Sequence, residues 1–87
     1  MTAEDVAKGI AEECDSLKAL LLEKNRKYGN SALEPARVFS KASATEQILV
    51  RIDDKLSRIR TSGQSGPDED TVLDLVGYLI LLRVSRR

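Results

Sequence analysis

The sequence predicts an all-α fold: three long helices plus a short helical turn, in a helical bundle that is completed by oligomerisation. Apolar residues recur at steps of three and four in three segments, which is the spacing of one helix face. No segment alternates apolar and polar residues with the period of two that a strand requires. The 87 residues are 41% hydrophobic and 32% charged, which is typical of a single globular domain spanning residues 1–87.

The first long helix is predicted over about residues 3–28. Thr2 is a suitable N-cap, and Glu4 and Asp5 place negative charge in the first turn, where the helix dipole favours it. Gly29 suits the left-handed position that commonly follows the last turn of a helix. The expected buried stripe comprises Val6, Ile10, Cys14, Leu17 and Leu21.

The second long helix is predicted over about residues 44–60, after a short helical turn from Pro35 to Ser40. Ser43 and Glu46 form the S-x-x-E pattern of a capping box, which marks the start of this helix. The expected buried stripe comprises Ile48 or Leu49, Ile52, Leu56 and Ile59.

A flexible linker is predicted over residues 61–67, and the third helix over about residues 68–85. This third helix is apolar on two sides, and a helix of that kind must be buried on two sides. It is therefore either the central helix of the core or part of a subunit interface. We predict a homo-oligomer, because the core of one small chain is marginal. One apolar face comprises Val72, Leu75, Val76, Leu79 and Leu82, and the other comprises Leu73, Ile80 and Val84, beside Gly77.

The composition excludes several kinds of chemistry. Fourteen basic and fourteen acidic residues cancel, so no overall positive field draws the chain to nucleic acid or to anionic membranes. Histidine is absent and Cys14 is the only cysteine, which excludes an intrachain disulfide, a zinc cluster and histidine-dependent nucleophiles. A metal site would need oxygen ligands, which favours Mg²⁺, with Mn²⁺ as a substitute.

The sequence also predicts the compartment. No apolar run approaches the ~20 residues that span a bilayer. The acidic start of the chain lacks the basic residues that begin a signal peptide. We therefore expect a cytoplasmic protein without a membrane segment, which would lie in the bacterial host cytoplasm if a phage encodes it.

Two basic clusters are candidate anion-binding sites. The end of the first helix carries either an anion site or an ordinary helix terminus, where basic residues and a following glycine are common. The second helix carries a basic stripe with the spacing i, i+4, i+7, which is either a site or a solvated surface with an Asp54–Arg58 ion pair. The first cluster comprises Lys24, Asn25, Lys27 and Tyr28, and the second comprises Arg51, Lys55 and Arg58.

An acidic cluster lies at the start of the third helix. The helix dipole explains Glu69 and Asp70 in the first turn. It does not explain Asp74, which lies between Leu73 and Leu75 in an apolar run. A carboxylate there is costly unless it pairs with a cation, an arginine or a metal. We therefore predict that Asp74 is functional.

Tyr78, one turn after Asp74, is either a core residue with its hydroxyl at the rim or a contact for a nucleobase or ribose. Carboxylates from two helices and lysines from a third could together surround a Mg²⁺-bound polyphosphate, with an acid that positions the attacking water. The predicted nucleotide-binding residues are Lys24, Asn25, Lys27, Tyr28, Arg51, Lys55, Arg58 and Tyr78.

Three sequence blocks, in this order, resemble those of the nucleotide modification associated domain type 1 family, a group of small proteins common in phages and prophages. The resemblance covers most of the chain between Leu17 and Leu82 and implies a phage protein linked to nucleotide chemistry. The blocks are Lys24-Asn25-x-x-Tyr28-Gly29-x-Ser31, Arg51-x-x-Asp54-Lys55-x-x-Arg58 and Glu69-Asp70-Thr71-x-x-Asp74-Leu75-x-x-Tyr78.

A weaker resemblance is to the MazG-like all-α NTP pyrophosphatases, helical oligomers that use Mg²⁺ held by acidic residues. It implies that Asp53 and Asp54 stand for the paired acids of one helix, and that Asp74 belongs to the later one. Thr71 and Ser57 stand where that pattern has acidic residues, so the acidic set is reduced. The implied catalytic residues are Asp54 and Asp74, and the implied metal ligands are Asp53, Asp54, Glu69, Asp70 and Asp74.

Three functions remain open from the sequence. The first is a Mg²⁺-dependent (deoxy)nucleoside triphosphate pyrophosphohydrolase. The second is a module that binds a nucleotide without turnover. Such a module would be an accessory of nucleotide or base modification, or a phage sponge that sequesters a cyclic nucleotide defence signal. The third is a structural helical oligomer, which leaves Asp74 unexplained.

Overall fold

A computed structural model describes all residues, 1–87. Three helices account for most of the chain: α1 (Ala3–Tyr28), α2 (Ala44–Thr61) and α3 (Glu69–Ser85). One short 3₁₀ turn, Gly63–Ser65, lies between the last two helices, and there is no strand. The all-α prediction is confirmed, and each long helix begins and ends within one residue of its predicted bounds.

Local capping explains where the helices begin. The hydroxyl of Thr2 accepts the backbone N–H of Asp5, and the Asp5 carboxylate accepts the backbone N–H of Thr2, so the capping box of α1 is complete. At the start of α2 the hydroxyl of Ser43 accepts the N–H of Glu46, which is one half of the predicted box. Because these pairs are three residues apart, the sequence alone was sufficient to locate them.

The predicted helical turn from Pro35 to Ser40 is wrong. The chain turns earlier, because Gly29 and Asn30 both adopt left-handed backbone angles, with φ of 62° and 63°. The carbonyl of Asn30 then accepts the N–H groups of Leu33 and Glu34. Residues 35–43 follow in irregular conformation.

The predicted linker 61–67 is partly structured. The hydroxyl of Ser62 donates to the carbonyl of Ile59, and that of Ser65 donates to the carbonyl of Ser62, each at 2.6 Å. These bonds to carbonyls three residues earlier are typical of serine after a helix, and they hold the 3₁₀ turn in place.

The main packing contact is an antiparallel hairpin of α2 and α3. Thr45 contacts Ser85 at one end of the hairpin, and Lys55 contacts Asp74 further along. Ile48 and Ile52 are buried in it, as predicted. The predicted burial of Leu56 is wrong, because Lys55 turns into the hairpin and leaves Leu56 exposed.

Helix α1 packs on α3 in a parallel direction and touches it at few places. Cys14 lies beside the start of α3, whereas Leu21 lies beside Gly77 further along it. The predicted buried stripe of α1 is wrong in this chain. Leu17 and Leu21 are half-buried against α3, whereas Val6, Ile10 and Cys14 are exposed.

The chain is more extended than a closed domain of its length. Its radius of gyration is 15.1 Å, against about 12 Å for a compact chain of this size. Helix α3 is not the central helix of a closed core, because only Thr71 and Gly77 are buried within it. No helix combines the length and apolar character needed to cross a lipid bilayer.

Candidate functional site

A cleft of about 160 Å³ lies where the second half of α1 faces α2 and α3. Leucines from α1 and α3, together with Gly77, form its apolar wall. Its polar lining includes residues from all three predicted sequence blocks, which span residues 24–31, 51–58 and 69–78. The lining residues outside the apolar wall are Lys24, Asn25, Tyr28, Asn30, Ser31, Ala32, Arg51, Asp74 and Tyr78.

The turn after α1 forms one edge of this cleft. Gly29 and Asn30 reverse the chain through their left-handed angles, which brings Asn30 and Ser31 to the lining beside Tyr28. Glycine adopts such an angle without a steric cost, and asparagine tolerates it better than most residues. Gly29 and Asn30 therefore both end α1 and form this edge of the cleft.

Arg51 and Tyr78 meet across the cleft from α2 and α3. The guanidinium carbon of Arg51 lies 5.9 Å from the centroid of the Tyr78 ring, within the range of a cation–π contact. The contact places a permanent positive charge beside an aromatic face. Arg51 is exposed and Tyr78 is half-buried, so both are accessible to a ligand.

Asp74 lines the cleft and is held from behind by Lys55. The Nζ atom of Lys55 lies 3.1 Å from Oδ2 of Asp74. The Lys55 side chain is only 11% exposed, whereas 35% of the Asp74 side chain remains exposed. Asp74 therefore has a charged partner within the chain, a lysine on the neighbouring helix, and its functional role stays a prediction.

Other predicted site residues lie away from the cleft. Lys27 stacks over the ring of Tyr28 at 5.4 Å but is not part of the lining. Arg58 pairs with Asp54 at 3.3 Å on the exposed side of α2. This is the i, i+4 ion pair that the alternative interpretation of the basic stripe predicted.

The predicted metal ligands do not converge within one chain. No three acidic side chains lie close enough together to hold a metal ion. Asp53 is exposed on α2, whereas Glu69 and Asp70 line a separate groove between α1 and the start of α3. Asp74, the acidic residue of the cleft, already faces the ammonium group of Lys55. The donor set of one chain therefore does not fit a metal centre, and the Mg²⁺ site stays a prediction.

Part of the apolar wall of the cleft was missed from the sequence, whereas Leu17, Leu21 and Leu73 belong to predicted stripes. Leu20 and Leu81 line it, and neither belongs to a stripe that the spacing predicted. Gly77 allows the close approach of α1, since a Cβ atom there would lie 3.3 Å from Cδ2 of Leu21. A glycine within an apolar helix was the one available sign of this contact.

No family model, curated protein or solved structure matches this chain. The resemblance to the nucleotide modification associated domain type 1 family therefore stays a prediction, as does the one to the MazG-like enzymes.

Proposed function

We propose that this protein binds a nucleotide in the cleft between its three helices. One observation carries the proposal: residues of complementary chemistry from three distant sequence blocks line the same cleft. These residues are Lys24, Tyr28, Arg51, Asp74 and Tyr78. Small-molecule sites are typically apolar clefts with a few converging polar groups, and this cleft has that composition.

Each part of a nucleotide has a suitable partner in the lining. Tyr28 and Tyr78 offer aromatic rings for stacking with a base, with the apolar leucine wall beside them. Lys24 and Arg51 offer positive charge to phosphate oxygens, and arginine binds phosphate through two parallel hydrogen bonds. Asp74 can accept hydrogen bonds from a base amino group or from ribose hydroxyls.

The size of the cleft indicates which part of the ligand is enclosed. A volume of about 160 Å³ is below the ~300 Å³ at which small-molecule pockets usually begin. We therefore expect the base to occupy the cleft and the phosphates to extend to its rim. Lys24 and Arg51 are exposed there, so their charges are accessible to phosphates outside the enclosed volume.

The positions of the acidic residues favour binding over hydrolysis. Asp54 is paired with Arg58 on the outer side of α2, and Asp74 is paired with Lys55. A Mg²⁺-dependent pyrophosphohydrolase would need further carboxylates at the phosphates. Binding without turnover suits either an accessory of nucleotide or base modification, or a phage protein that sequesters a cyclic nucleotide signal.

Calorimetry with a panel of nucleotides tests the proposal. The panel contains ribo- and deoxynucleoside triphosphates and cyclic nucleotides, each with Mg²⁺ and with a chelator, and pyrophosphate release is followed in parallel. We expect binding heat without release for at least one ligand. Arg51→Gln should weaken that binding by tenfold or more. The matched control is Arg58→Gln, the same change on the same helix outside the cleft, which should leave the affinity unchanged.

Other outcomes would contradict the proposal. Pyrophosphate release that disappears in Asp74→Asn would assign the hydrolase function instead. An absence of binding heat with every ligand would leave the structural oligomer as the function. Equal effects of Arg51→Gln and Arg58→Gln would mean that binding depends on overall charge and not on the cleft.

A further inference from the structure

A second depression, the α1/α3 groove, lies beside the start of α3 and shares only Leu17 and Leu73 with the nucleotide cleft. Cys14 and Leu17 form the apolar part of its α1 side, and Val72, Leu73 and Val76 form the apolar part of its α3 side. Glu13, Glu69 and Asp70 lie at its polar edge. The apolar surface does not stop at the groove. It continues along α1 to Ile10 and Val6, and along α3 to Leu79 and Ile80, all of which are exposed.

The chain as a whole exposes more surface than a closed monomer of its mass. The chain exposes 7014 Å², whereas a folded monomer of this mass typically exposes about 5,100 Å². The excess of about 1,900 Å² exceeds the ~800 Å² that each partner contributes to a standard protein interface. One chain therefore has enough uncovered surface for a stable dimer.

Two uncovered apolar surfaces of the chain are suited to each other. One is the N-terminal arm, defined here as Ala3–Glu13, whose Val6 and Ile10 extend the stripe of α1 beyond its contact with α3. The other is the outer face of α3. In a two-fold dimer the same pair of surfaces meets twice, so the arm of each chain covers the outer α3 face of the other.

Charge is complementary at the ends of the two helices in this arrangement. The start of the arm carries Glu4 and Asp5, followed by a single lysine, Lys8. The end of α3 carries Arg83, Arg86 and Arg87, none of which forms an ion pair within the chain. Because α1 and α3 are parallel, a two-fold axis near the start of α3 makes the partner antiparallel. The acidic start of each arm then lies near the basic end of the partner's α3.

We infer that a second copy of this chain docks on the α1/α3 groove, with the arm of each copy lying along the outer face of the other's α3. Leu17 and Leu73 line both the groove and the nucleotide cleft. The docked copy therefore contacts two residues that also line the cleft. This inference does not depend on the proposed nucleotide function.

Sedimentation over a wide concentration range tests the inference. We expect a mass of twice 9.6 kDa, or an even multiple that contains the same contact. Val76→Glu should shift the protein to the monomer, since the charge would lie in the interface. Val50→Glu is the matched control. Val50 is exposed on the side of α2 that faces away from α3, so this variant should leave the oligomer intact. A monomeric wild type, or an oligomer that withstands Val76→Glu, would overturn the inference.

A second measurement covers the case in which Val76→Glu fails to fold. Cys14 is exposed in one chain and lines the groove, so a docked copy would shield it from a maleimide reagent. We expect alkylation of the unmodified protein to accelerate on dilution, as the dimer dissociates while helical content is retained. A rate that does not change with concentration would contradict the docking. Arg83→Glu is a milder change than Val76→Glu, because it lies at the edge of the interface. It should raise the dissociation constant of the dimer by tenfold or more.

Discussion

The ammonium group of Lys55 lies 3.1 Å from Oδ2 of Asp74 and joins α2 to α3 inside the hairpin. Asp74 lies between two leucines, and the Lys55 side chain is almost fully buried, so each compensates the charge of the other. The pair also holds Asp74 at the wall of the cleft, where its remaining exposed surface faces the proposed ligand. One contact thus contributes to the packing of the hairpin and to the shape of the site.

We expect Asp74→Leu to lower the free energy of unfolding by about 1–3 kcal/mol, because it leaves the Lys55 charge buried without a partner. This range lies between the values typical of exposed and of fully buried pairs, since Asp74 is about one-third exposed. Lys55→Met should lower the free energy of unfolding by less, because water can hydrate the unpaired Asp74 carboxylate. Denaturant unfolding at a fixed protein concentration measures both effects.

The double variant Lys55→Met/Asp74→Leu completes a cycle for this pair. We expect it to be close to the wild type in stability, because two apolar residues can replace a buried ion pair at little cost. Asp54→Asn with Arg58→Gln is the control cycle, since that pair is exposed and should couple by less than about 0.5 kcal/mol. Equal coupling energies in the two cycles would contradict the expectation that burial strengthens the Lys55–Asp74 pair.

The ring of Tyr78 is expected to determine nucleotide affinity. Tyr78→Leu removes both the stacking surface and the contact with Arg51, and stacking of one base contributes about 1–3 kcal/mol, which corresponds to about 5- to 150-fold in affinity. Tyr78→Phe keeps the ring and should change the affinity by much less. Titration calorimetry with the tightest ligand of the panel checks both variants, and similar losses in the two would assign the contribution to the hydroxyl instead.

The two glycines within helices should respond differently to alanine. A Cβ atom at Gly9 meets nothing within 4 Å, so Gly9→Ala should raise stability by up to about 1 kcal/mol through helix propensity. At Gly77 the same atom would lie 3.3 Å from Cδ2 of Leu21. The shift of Leu21 should offset the propensity gain in Gly77→Ala and disturb the cleft wall. Thermal unfolding compares the two, and an equal gain would mean that α1 does not pack closely on α3.

The start of α3 should show an acid-dependent loss of stability. The carboxylate of Asp68 accepts the backbone N–H of Thr71 at 2.7 Å, which lowers the pKa of Asp68 below its usual value. A lowered pKa in the folded state means that the stabilisation is fully present above the unfolded pKa, near 4, and is lost as the pH falls through the folded pKa. Asp68→Asn keeps an N-cap acceptor without titrating. In the wild type we expect helical content to decrease as the pH falls through the pKa of Asp68. The Asp68→Asn variant should lack this decrease, and an unchanged profile would exclude Asp68 as its cause.

The interior of the hairpin shows where prediction from spacing stops. Ile48 and Ile52 were predicted as buried from spacing alone and are confirmed. The next buried position was assigned to Leu56, but Lys55 occupies it because Asp74 on the neighbouring helix neutralises its charge. Apolar periodicity cannot identify a buried lysine, since its partner lies nineteen positions further along the chain.

Helix type, helix bounds and caps were determined by the sequence, because they depend on residues within four positions of each other. The need of Asp74 for a positively charged partner also followed from its apolar neighbours. Only the tertiary structure decided that Lys55 is that partner, and that Lys24, Arg51 and Tyr78 meet at one cleft while Arg58 stays outside it. These outcomes depend on the angles at which the helices pack, and those angles are set by contacts between residues far apart in the chain.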